Sequence, residues 1–450
     1  MRVEIIETSS LGDRSYVVFD GPNAVVIDPQ RDIDRVTDRV RDLGVAITHV
    51  LETHLHNDYV TGGLELSRTT GAEYVVPAGD DIGYLARRIG DGEVIDAGTF
   101  TLRAVHTPGH TREHISYVLQ DSTETTVGVF TGGSMLYDST GRTDLLGEEN
   151  TRELTTAQFH SVRRLADELP ADTPVFPTHG FGSFCAASAT GRESSTVGEQ
   201  RDSNPALTQD EKKFVDELLE NLSEYPAYYE HMGVINRDGP AAVDLSTPKP
   251  VDSEELRRRI EAGEWVVDLR KRTAFAAGHL GGSYGFELSD SFVTYLGWLY
   301  AWGAPVTLIG DDAEQIATAR RELTRIGIDN VRGGASGAIA TLAGVTPLSS
   351  YRVADFAALA AEVDRDDVAV LDVRRSDEFE QGHISNAINI VVHELADRLD
   401  ELPAAEIWVH CASGYRASVA ASILDRYGRK VVLIDDKYAT AEELGLTGSN

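Results

Sequence analysis

Three turns rich in histidine lie far apart in the N-terminal half of this 450-residue chain. The first turn carries His54, His56 and Asp58, and the other two carry His110 and His179. Each turn follows a run of residues that is typical of a strand. Imidazoles with a carboxylate suit Zn or non-haem Fe as ligands. The sequence therefore predicts a site for one divalent metal, Zn or Fe, at the ends of strands.

Cys411 indicates a different chemistry, because it lies in the segment Cys411-Ala-Ser-Gly414-Tyr-Arg416, between a predicted strand at 406–410 and a predicted helix at 418–427. Such a loop is where α/β folds bind ligands. Its N–H groups and the helix N-terminus form a cradle for an anion. Together with Arg416 this setting favours the thiolate, a nucleophile that can carry a transferred sulfur as a persulfide.

The other cysteine, Cys185, closes the glycine-rich segment that starts at His179. If this segment borders the metal, Cys185 receives or presents a persulfide sulfur; the alternative is a small buried thiol without chemistry, because exposure and pKa decide reactivity. Two cysteines this far apart form no disulfide framework, and they indicate a reducing compartment.

The elements that must position these residues alternate between strands and helices. We predict helices at 32–43 and 209–222 and a loop at 188–204, which is rich in Ser, Thr, Gly and Glu. Hairpins followed by helix–strand units favour layers of helix and sheet, an α/β class, over a helical bundle.

An internal repeat indicates the domain organisation of the later part of the chain. Asp268 and His279 in one segment match Asp372 and His383 in another, with a spacing of 11 residues in both. A repeat of this kind predicts two tandem domains. We therefore expect three domains, at 1–245 (with a helical extension after about 190), 246–346 and 347–450.

The middle copy differs from the last copy at the position equivalent to Cys411. Aligning its strand at 305–310 with the strand before Cys411 puts Asp311 at the cysteine position. A carboxylate cannot accept sulfane sulfur, so this copy is predicted to be inactive and to serve as a spacer or docking surface. Its Asp268 and His279 are then structural residues, hydrogen-bonded within the fold.

Composition excludes several classes of function. Lys and Arg number 41 against 73 Asp and Glu, a net charge of −32, which disfavours nucleic acid as a partner. No run approaches the roughly 20 apolar residues of a membrane span, and no export signal is recognised, so we expect a cytoplasmic location. The acidic, lysine-poor composition indicates a halophilic protein; the alternative is an ordinary acidic cytosolic one.

The C-terminal motifs resemble a rhodanese domain. Leu371-Asp372-Val373-Arg374, Glu378-Phe379 and Gly382-His383-Ile384 resemble its front half, and Cys411-x-x-Gly414-x-Arg416 resembles its active loop. The resemblance implies that Cys411 is the sulfur-accepting nucleophile, that Gly414 and Arg416 contact the bound anion, and that the substrate is thiosulfate or a thiol persulfide.

The N-terminal motifs, over roughly residues 1–240, resemble the metallo-β-lactamase (MBL) fold, an αββα sandwich. The resemblance implies a first metal site at His54, His56 and His110, and a second at Asp58 and His179. Two further stretches, 130–133 and 141–144, resemble the persulfide dioxygenase and glyoxalase II branch, which places Arg142 at the substrate; the alternative is that Arg142 pairs with Asp144. The segment ending at Cys185 resembles MBL proteins fused to rhodaneses.

Two positions depart from that family, with Tyr59 in place of a second-site histidine and Gly133 in place of a bridging aspartate. These departures favour a single metal held by His54, His56 and His110, with Asp58 or His179 near it.

The resulting hypothesis is a sulfur-metabolism enzyme that joins a sulfurtransferase to a metal-dependent domain acting on thiol persulfides. One alternative is a thioester hydrolase of the glyoxalase II kind with an accessory rhodanese. Another is a metal-free MBL scaffold that docks a sulfur carrier onto Cys411. The expected partners are small molecules rather than nucleic acid or membrane, and assembly into a homo-oligomer is left open.

Overall fold

The structure of the protein is a computed structural model, and it describes residues 1–187 and 191–448. The chain forms two compact units. The first comprises Met1–Asp244 and the short segment Thr324–Gly327, and the second comprises Leu245–Leu323 and Ile328–Asn450. The division into three domains, at 1–245, 246–346 and 347–450, remains a prediction.

The first unit contains fourteen described strands and seven described helices. The strands are β1 Arg2–Thr8, β2 Asp13–Asp20, β3 Asn23–Ile27, β4 Ala46–Leu51, β5 Glu73–Pro77, β6 Arg87–Ile89, β7 Val94–Asp96, β8 Phe100–His106, β9 Ile115–Asp121, β10 Thr126–Gly132, β11 Met135–Leu136, β12 Ser139–Thr140, β13 Pro174–Pro177 and β14 Ser195–Thr196. The helices are α1 Asp34–Leu43, α2 Gly63–Thr70, α3 Glu148–Glu168, α4 Val197–Ser203, α5 Pro205–Thr208, α6 Glu211–Asn221 and α7 Tyr229–Asp238.

Two six-stranded sheets face each other in this unit, with strand orders β1-β2-β3-β4-β5-β6 and β14-β13-β10-β9-β8-β7. Alternate residues of one strand point to opposite faces. Tyr16 and Val18 of β2 therefore lie in the core between the sheets, while Val17 and Phe19 pack in the outer core with α1. Helix α3 packs on the outside of the second sheet through Phe159 and its neighbours. This αββα sandwich confirms the predicted fold.

Parallel pairing brings the ends of distant strands to one edge of the sandwich. Ile27 at the end of β3 pairs with Leu51 at the end of β4, and Gly132 at the end of β10 pairs with Pro177 at the end of β13. The residues that follow these strands therefore lie side by side, although they are up to about 150 residues apart. This edge of the sandwich carries the histidine-rich turns.

The second unit contains thirteen described strands and nine described helices. The strands are β15 Trp265–Asp268, β16 His279–Leu280, β17 Tyr284–Gly285, β18 Val306–Gly310, β19 Val331–Ser336, β20 Leu348–Ser349, β21 Arg352–Ala354, β22 Val368–Asp372, β23 His383–Ile384, β24 Ile388–Asn389, β25 Glu406–His410, β26 Val431–Ile434 and β27 Thr447–Gly448. The helices are α8 Ser253–Glu261, α9 Arg272–Ala277, α10 Phe292–Leu299, α11 Ala313–Arg325 (in this unit up to Leu323), α12 Ile339–Ala343, α13 Phe356–Ala360, α14 Ser376–Glu380, α15 Tyr415–Arg426 and α16 Tyr438–Glu443, with 3-10 turns at Leu395–Asp397 and Leu399–Glu401.

Two parallel sheets correspond to the two copies of the repeat, with strand orders β17-β15-β18-β19 and β21-β26-β25-β22-β24. In the first sheet β15 pairs with β18, and in the second β22 pairs with β25 in the equivalent way. Strand β18 therefore occupies the place of β25, and Asp311 follows it as Cys411 follows β25.

The repeated motif forms the same brace of side chains in both copies. Arg270 binds Asp268 at 2.7 Å, and Arg374 binds Asp372 at 2.7 Å. In each copy the motif histidine stacks on the motif phenylalanine with 3.9 Å between ring centroids and 9° between planes, as Phe275–His279 and Phe379–His383. These residues hold strand, helix and turn together, so Asp268 and His279 are structural, as predicted.

The helices test the local predictions. Helices α1 and α6 confirm the predicted helices at 32–43 and 209–222. The loop predicted at 188–204 is wrong over Ser195–Thr196, which is strand β14, and over Val197–Ser203, which is helix α4. Its residues 188–190 lie outside the described part of the chain. Within the described residues, none of the helices combines the length and the hydropathy needed to cross a bilayer.

Candidate metal centre and sulfur site

The five predicted metal-site residues lie together at one edge of the sandwich. His54, His56 and Asp58 follow β4, His110 follows β8, and His179 follows β13. All five side chains are buried. The three separate turns of the sequence therefore form a single buried cluster.

The ligand atoms of this cluster fall into two overlapping groups. The nitrogens of His54, His110 and His179 lie within 4.8 Å of one another, and so do the ligand atoms of His56, Asp58 and His179. His179 belongs to both groups, and its Nε2 lies 3.3 Å from Nε2 of His54. The structure thus places His179 with His54 and His110, the position that the sequence analysis gave to His56.

The hydrogen bonding and the pKa values of the clustered histidines are those expected of metal ligands. Among the described residues, His110 Nε2 and His56 Nδ1 are buried and have no hydrogen-bond partner. Buried polar atoms are normally paired, so two unpaired imidazole nitrogens fit a site that binds a cation. Burial lowers the pKa of His110 to about 3 and that of His54 well below its usual value, and neighbouring histidines add to both shifts, which leaves their lone pairs free at neutral pH. The residues fit one divalent metal of the Zn or Fe type.

Gly133 leaves room for the ring of His110. A Cβ atom at Gly133 would lie 2.2 Å from Cδ2 of His110. The backbone N–H of Gly133 donates to Nε2 of His114 at 3.0 Å. An aspartate at position 133, which the family resemblance would place there, is therefore incompatible with the observed position of His110.

Tyr59 contacts His56 through its hydroxyl and through its ring. Its hydroxyl lies 3.0 Å from Nε2 of His56, and the two rings stack with centroids 4.3 Å apart. The same Nε2 lies 3.3 Å from a carboxylate oxygen of Asp28 and 3.3 Å from one of Glu52. Burial alone would lower the pKa of His56, but these two carboxylates outweigh it and raise the pKa to about 9.

Three buried carboxylates lie around the histidines and were not predicted from the sequence: Asp13, Asp28 and Glu52. Asp28 follows β3, so the strand-end rule that found the histidines also applies to it. Asp13 begins β2 and lies 2.9 Å from Nδ1 of His179, which is 166 residues away, and no local pattern indicates that contact.

Cys185 is fully buried in the loop after His179. Burial raises the pKa of its thiol well above the usual value, and Asp58 and Asp13 add to the shift. Because a thiolate is the reactive form, this setting disfavours Cys185 as a nucleophile in the observed conformation. Its predicted part in persulfide chemistry stays a prediction.

Arg142 is buried, and each nitrogen of its guanidinium donates a hydrogen bond. It binds both oxygens of Asp144 at 2.7 Å and donates to the carbonyl oxygens of Phe184 and Ser223 at 3.1 and 2.6 Å. Its guanidinium also lies over the ring of Tyr225 at 4.5 Å. The structure thus shows the pairing with Asp144 that was the alternative for this residue, and its substrate-binding role stays a prediction.

Cys411 lies where the sequence predicts, between β25 and α15. The backbone N–H of Gly414 donates to its Sγ at 3.2 Å, which supplies one donor of the expected cradle. Gly414 has φ +93°, and a Cβ there would lie 2.2 Å from Oδ1 of Asp435, so the loop requires glycine. Only 2% of Cys411 is exposed.

Arg416 points along the loop toward Glu378, which it binds through both terminal nitrogens at 2.5 and 2.9 Å. Glu378 belongs to α14 and to the repeated motif. This bidentate pair ties α15 to α14 and uses part of the hydrogen-bonding capacity of the guanidinium. The predicted contact of Arg416 with a bound anion remains a prediction.

Residues of the middle copy also border the Cys411 loop, which the sequence analysis did not anticipate. Arg272 binds Asp435 at 2.7 Å and Glu287 at 2.9 Å. The hydroxyl of Tyr415 donates to the backbone oxygen of Glu287 at 3.2 Å. Tyr295 of α10 packs against Tyr415 with ring centroids 5.7 Å apart. The copy without a cysteine therefore forms one wall of the loop that carries the thiol.

Comparison with known proteins adds two lines of evidence on the sequence. A family model described as a rhodanese-like domain matches residues 355–439. The chain is 30% identical over 247 residues to the human protein named persulfide dioxygenase ETHE1, mitochondrial, a match that covers 54% of this chain and 81% of that protein. It is 29% identical over 174 residues to BaeB of Bacillus velezensis, named a probable polyketide biosynthesis zinc-dependent hydrolase, covering 37% of this chain and 72% of that one.

Among solved structures, a metallo-beta-lactamase from Staphylococcus aureus matches with a TM-score of 0.68 and 27% identity. The match covers 75% of this chain and 99% of the other. Together with the family model, it confirms the predicted sandwich in the N-terminal part and the predicted rhodanese domain at the C-terminus.

Proposed function

Because this chain belongs to the ETHE1 persulfide dioxygenase family, we propose that it is a sulfur-metabolism enzyme with two centres. In the first unit, the buried histidines would hold a metal that supports the oxidation of a small-molecule thiol persulfide by O2. Cys411 in the rhodanese domain transfers sulfane sulfur from thiosulfate or a persulfide.

The observation that carries the first activity is the convergence of three buried imidazoles. His54, His110 and His179 bring three nitrogens to within 4.8 Å of one another, and one of them has no partner among the described residues. When bound there, Fe supplies the redox chemistry that O2 requires, whereas Zn supplies Lewis-acid polarisation.

The side chains around these imidazoles hold them in place. His110 is oriented by the carbonyl oxygen of Arg142, which accepts from its Nδ1 at 2.8 Å. His54 is oriented by the hydroxyl of Thr53 at 2.8 Å. Both rings are completely buried, and exclusion of bulk water strengthens the electrostatic interactions within such a site.

The second activity follows from the position of Cys411. Its thiolate attacks the sulfane sulfur of the donor; a new S–S bond forms to Sγ while the donor's own sulfur–sulfur bond breaks, and sulfite or a thiolate leaves with the electron pair. An acceptor thiolate then takes the sulfane sulfur and returns Cys411 to the thiolate. The N–H of Gly414, 3.2 Å from Sγ, stabilises negative charge at this position in the thiolate.

Metal analysis combined with O2 uptake tests the proposal. The protein is purified in high salt without chelator, its metal content is measured, and a thiol persulfide is added in an oxygen electrode. Stoichiometric Fe with persulfide-dependent O2 uptake is the expected result. Zn without O2 uptake, together with turnover of an acyl thioester, would replace the dioxygenase by the hydrolase. A protein that binds no metal would leave Cys411 as the active centre.

A further inference from the structure

The hydrogen bonds at each Nδ1 determine where the lone pairs of the histidines point. The hydroxyl of Thr53 gives its proton to Asp28 at 2.7 Å, so it accepts from Nδ1 of His54. Nδ1 of His110 donates to the carbonyl oxygen of Arg142. In both rings the proton is therefore on Nδ1, and Nε2 carries a free lone pair directed into the cluster.

His179 is oriented in the same way, by carboxylates instead of neutral oxygens. Its Nδ1 lies 2.9 Å from Asp13 and 3.1 Å from Asp58. Since an ionised carboxylate only accepts, these contacts keep a proton on Nδ1 and direct Nε2 toward His54, 3.3 Å away. That separation is close to the distance between two nitrogens about 2.1 Å from one shared zinc ion.

His56 is turned differently. Its Nε2 faces Asp28 and Glu52, each at 3.3 Å, and Tyr59 at 3.0 Å. His56 lies in a possible ligand group with Asp58 and His179, and it is absent from the group of His54, His110 and His179.

Charge gives an independent argument. Asp13 and Asp58 are buried beside the three imidazoles. Among the described residues, Oδ2 of Asp13 has no hydrogen-bond partner. Positive charge stabilises buried carboxylates, and a divalent cation bound by the imidazoles would add to it.

We propose that one divalent cation is bound by Nε2 of His54, His110 and His179, and that Asp13 is the positioning residue that orients His179. This inference rests on the metal-binding part of the proposed function and extends it with a ligand set and an outer carboxylate. His56 then lies outside the inner set of ligands. Carboxylates that orient a ligating histidine typically contribute about 10- to 100-fold to metal affinity.

Co2+ titration of the full-length protein tests this ligand set without persulfide and without O2. Affinity is measured by competition with a chromophoric chelator, and the visible spectrum of bound Co2+ reports the change in coordination. We expect one Co2+ per chain in the wild type. H54A, H110A and H179A should each weaken binding by roughly 100-fold or more, D13N by about 10- to 100-fold, and H56A by less than about 10-fold. H160A removes an exposed histidine on α3 and is the matched control.

The ranking of variants decides the result. An H56A variant that loses more affinity than H179A would overturn the ligand set, and unchanged affinity in D13N would overturn the role of Asp13. Because an alanine variant of a buried histidine can fail to fold, circular dichroism and thermal unfolding accompany each titration, and D13N keeps the size of the side chain. If the Co2+ affinities of the variants follow the expected ranking but the Fe-loaded protein takes up no O2, this inference stands and the proposed dioxygenase activity is wrong.

Discussion

Nε of Arg272 lies 2.7 Å from Oδ1 of Asp435, and this bond joins the copy without a cysteine to the copy that carries Cys411. Asp435 in turn lies against Gly414 of the active loop. The Cys411 loop is therefore held between its own domain and the middle copy.

Replacing Arg272 by glutamine should lower the kcat of sulfur transfer from thiosulfate. The substitution removes the bonds to Asp435 and Glu287, so the loop loses its fixed position, and a displacement of about 1 Å can cost roughly 100-fold in rate. We expect a loss of about 10- to 100-fold. R257Q, in an exposed pair on α8, is the matched control. Wild-type turnover in R272Q would show that the middle copy does not position the loop.

Replacing Cys411 by serine should abolish sulfur transfer, by roughly 10³-fold or more, because the nucleophile is lost. Metal content and O2 uptake should stay at wild-type levels, since the metal centre lies in the other unit. C185S makes the same change at a fully buried thiol and should leave sulfur transfer intact. Equal loss of both activities in C411S would contradict two independent centres.

Replacing Gly133 by alanine should destabilise the protein and weaken metal binding. The added Cβ would meet the His110 ring at 2.2 Å, and overpacking of this kind typically costs about 1–3 kcal/mol in the free energy of unfolding. Chemical denaturation and Co2+ titration measure the two effects. G83A is the control, because its Cβ would come no closer than 3.6 Å to any atom. A G133D variant that binds two Co2+ per chain would argue against this account.

His410 should make the second unit sensitive to acid. Burial lowers its pKa from 6.5 to about 4, while nearby Asp372 opposes the shift only in part. The unfolded state therefore takes up a proton first, so stability is retained above pH 6.5 and falls as the pH decreases toward 4. The effect is on the order of 3 kcal/mol at the acid end of this range. Denaturation midpoints from pH 7 to pH 4 measure it.

H410Q should flatten that pH dependence relative to the wild type, whereas H160Q, at an exposed position, should leave it unchanged. Parallel curves for the wild type and H410Q would show that other groups account for the acid sensitivity.

The sequence predicted what depends on local pattern. The strand-end rule located His54, His110, His179 and Cys411, because parallel strands bring their ends to one edge. The 11-residue spacing of the repeat predicted that Asp268 and Asp372 occupy equivalent places, and the structure shows the same brace around both. A readable signal was missed at α4, where Thr196 and Glu199 form a capping box.

The rest depends on contacts between distant segments. Asp13 reaches His179 from the start of β2, and Arg272 reaches Asp435 across 163 residues. Neither pair leaves a trace in local spacing. The exchange of His56 for His179 beside His54 and His110 depends on the way His56 turns toward two buried carboxylates, which only the three-dimensional arrangement reveals.

Because the second unit contains the same brace twice, its two copies can be compared directly with each other. Because Phe275–His279 and Phe379–His383 have identical stacking geometry, any contrast in thiol chemistry between the two copies originates in the loops after β18 and β25 rather than in the frames that carry them. The middle copy has an aspartate where the other has its nucleophile, yet its frame still delivers Arg272 and Tyr295 to the neighbouring loop. We therefore expect the middle copy to contribute through its structure, so that damage to its frame would lower turnover at Cys411, more than a hundred residues away.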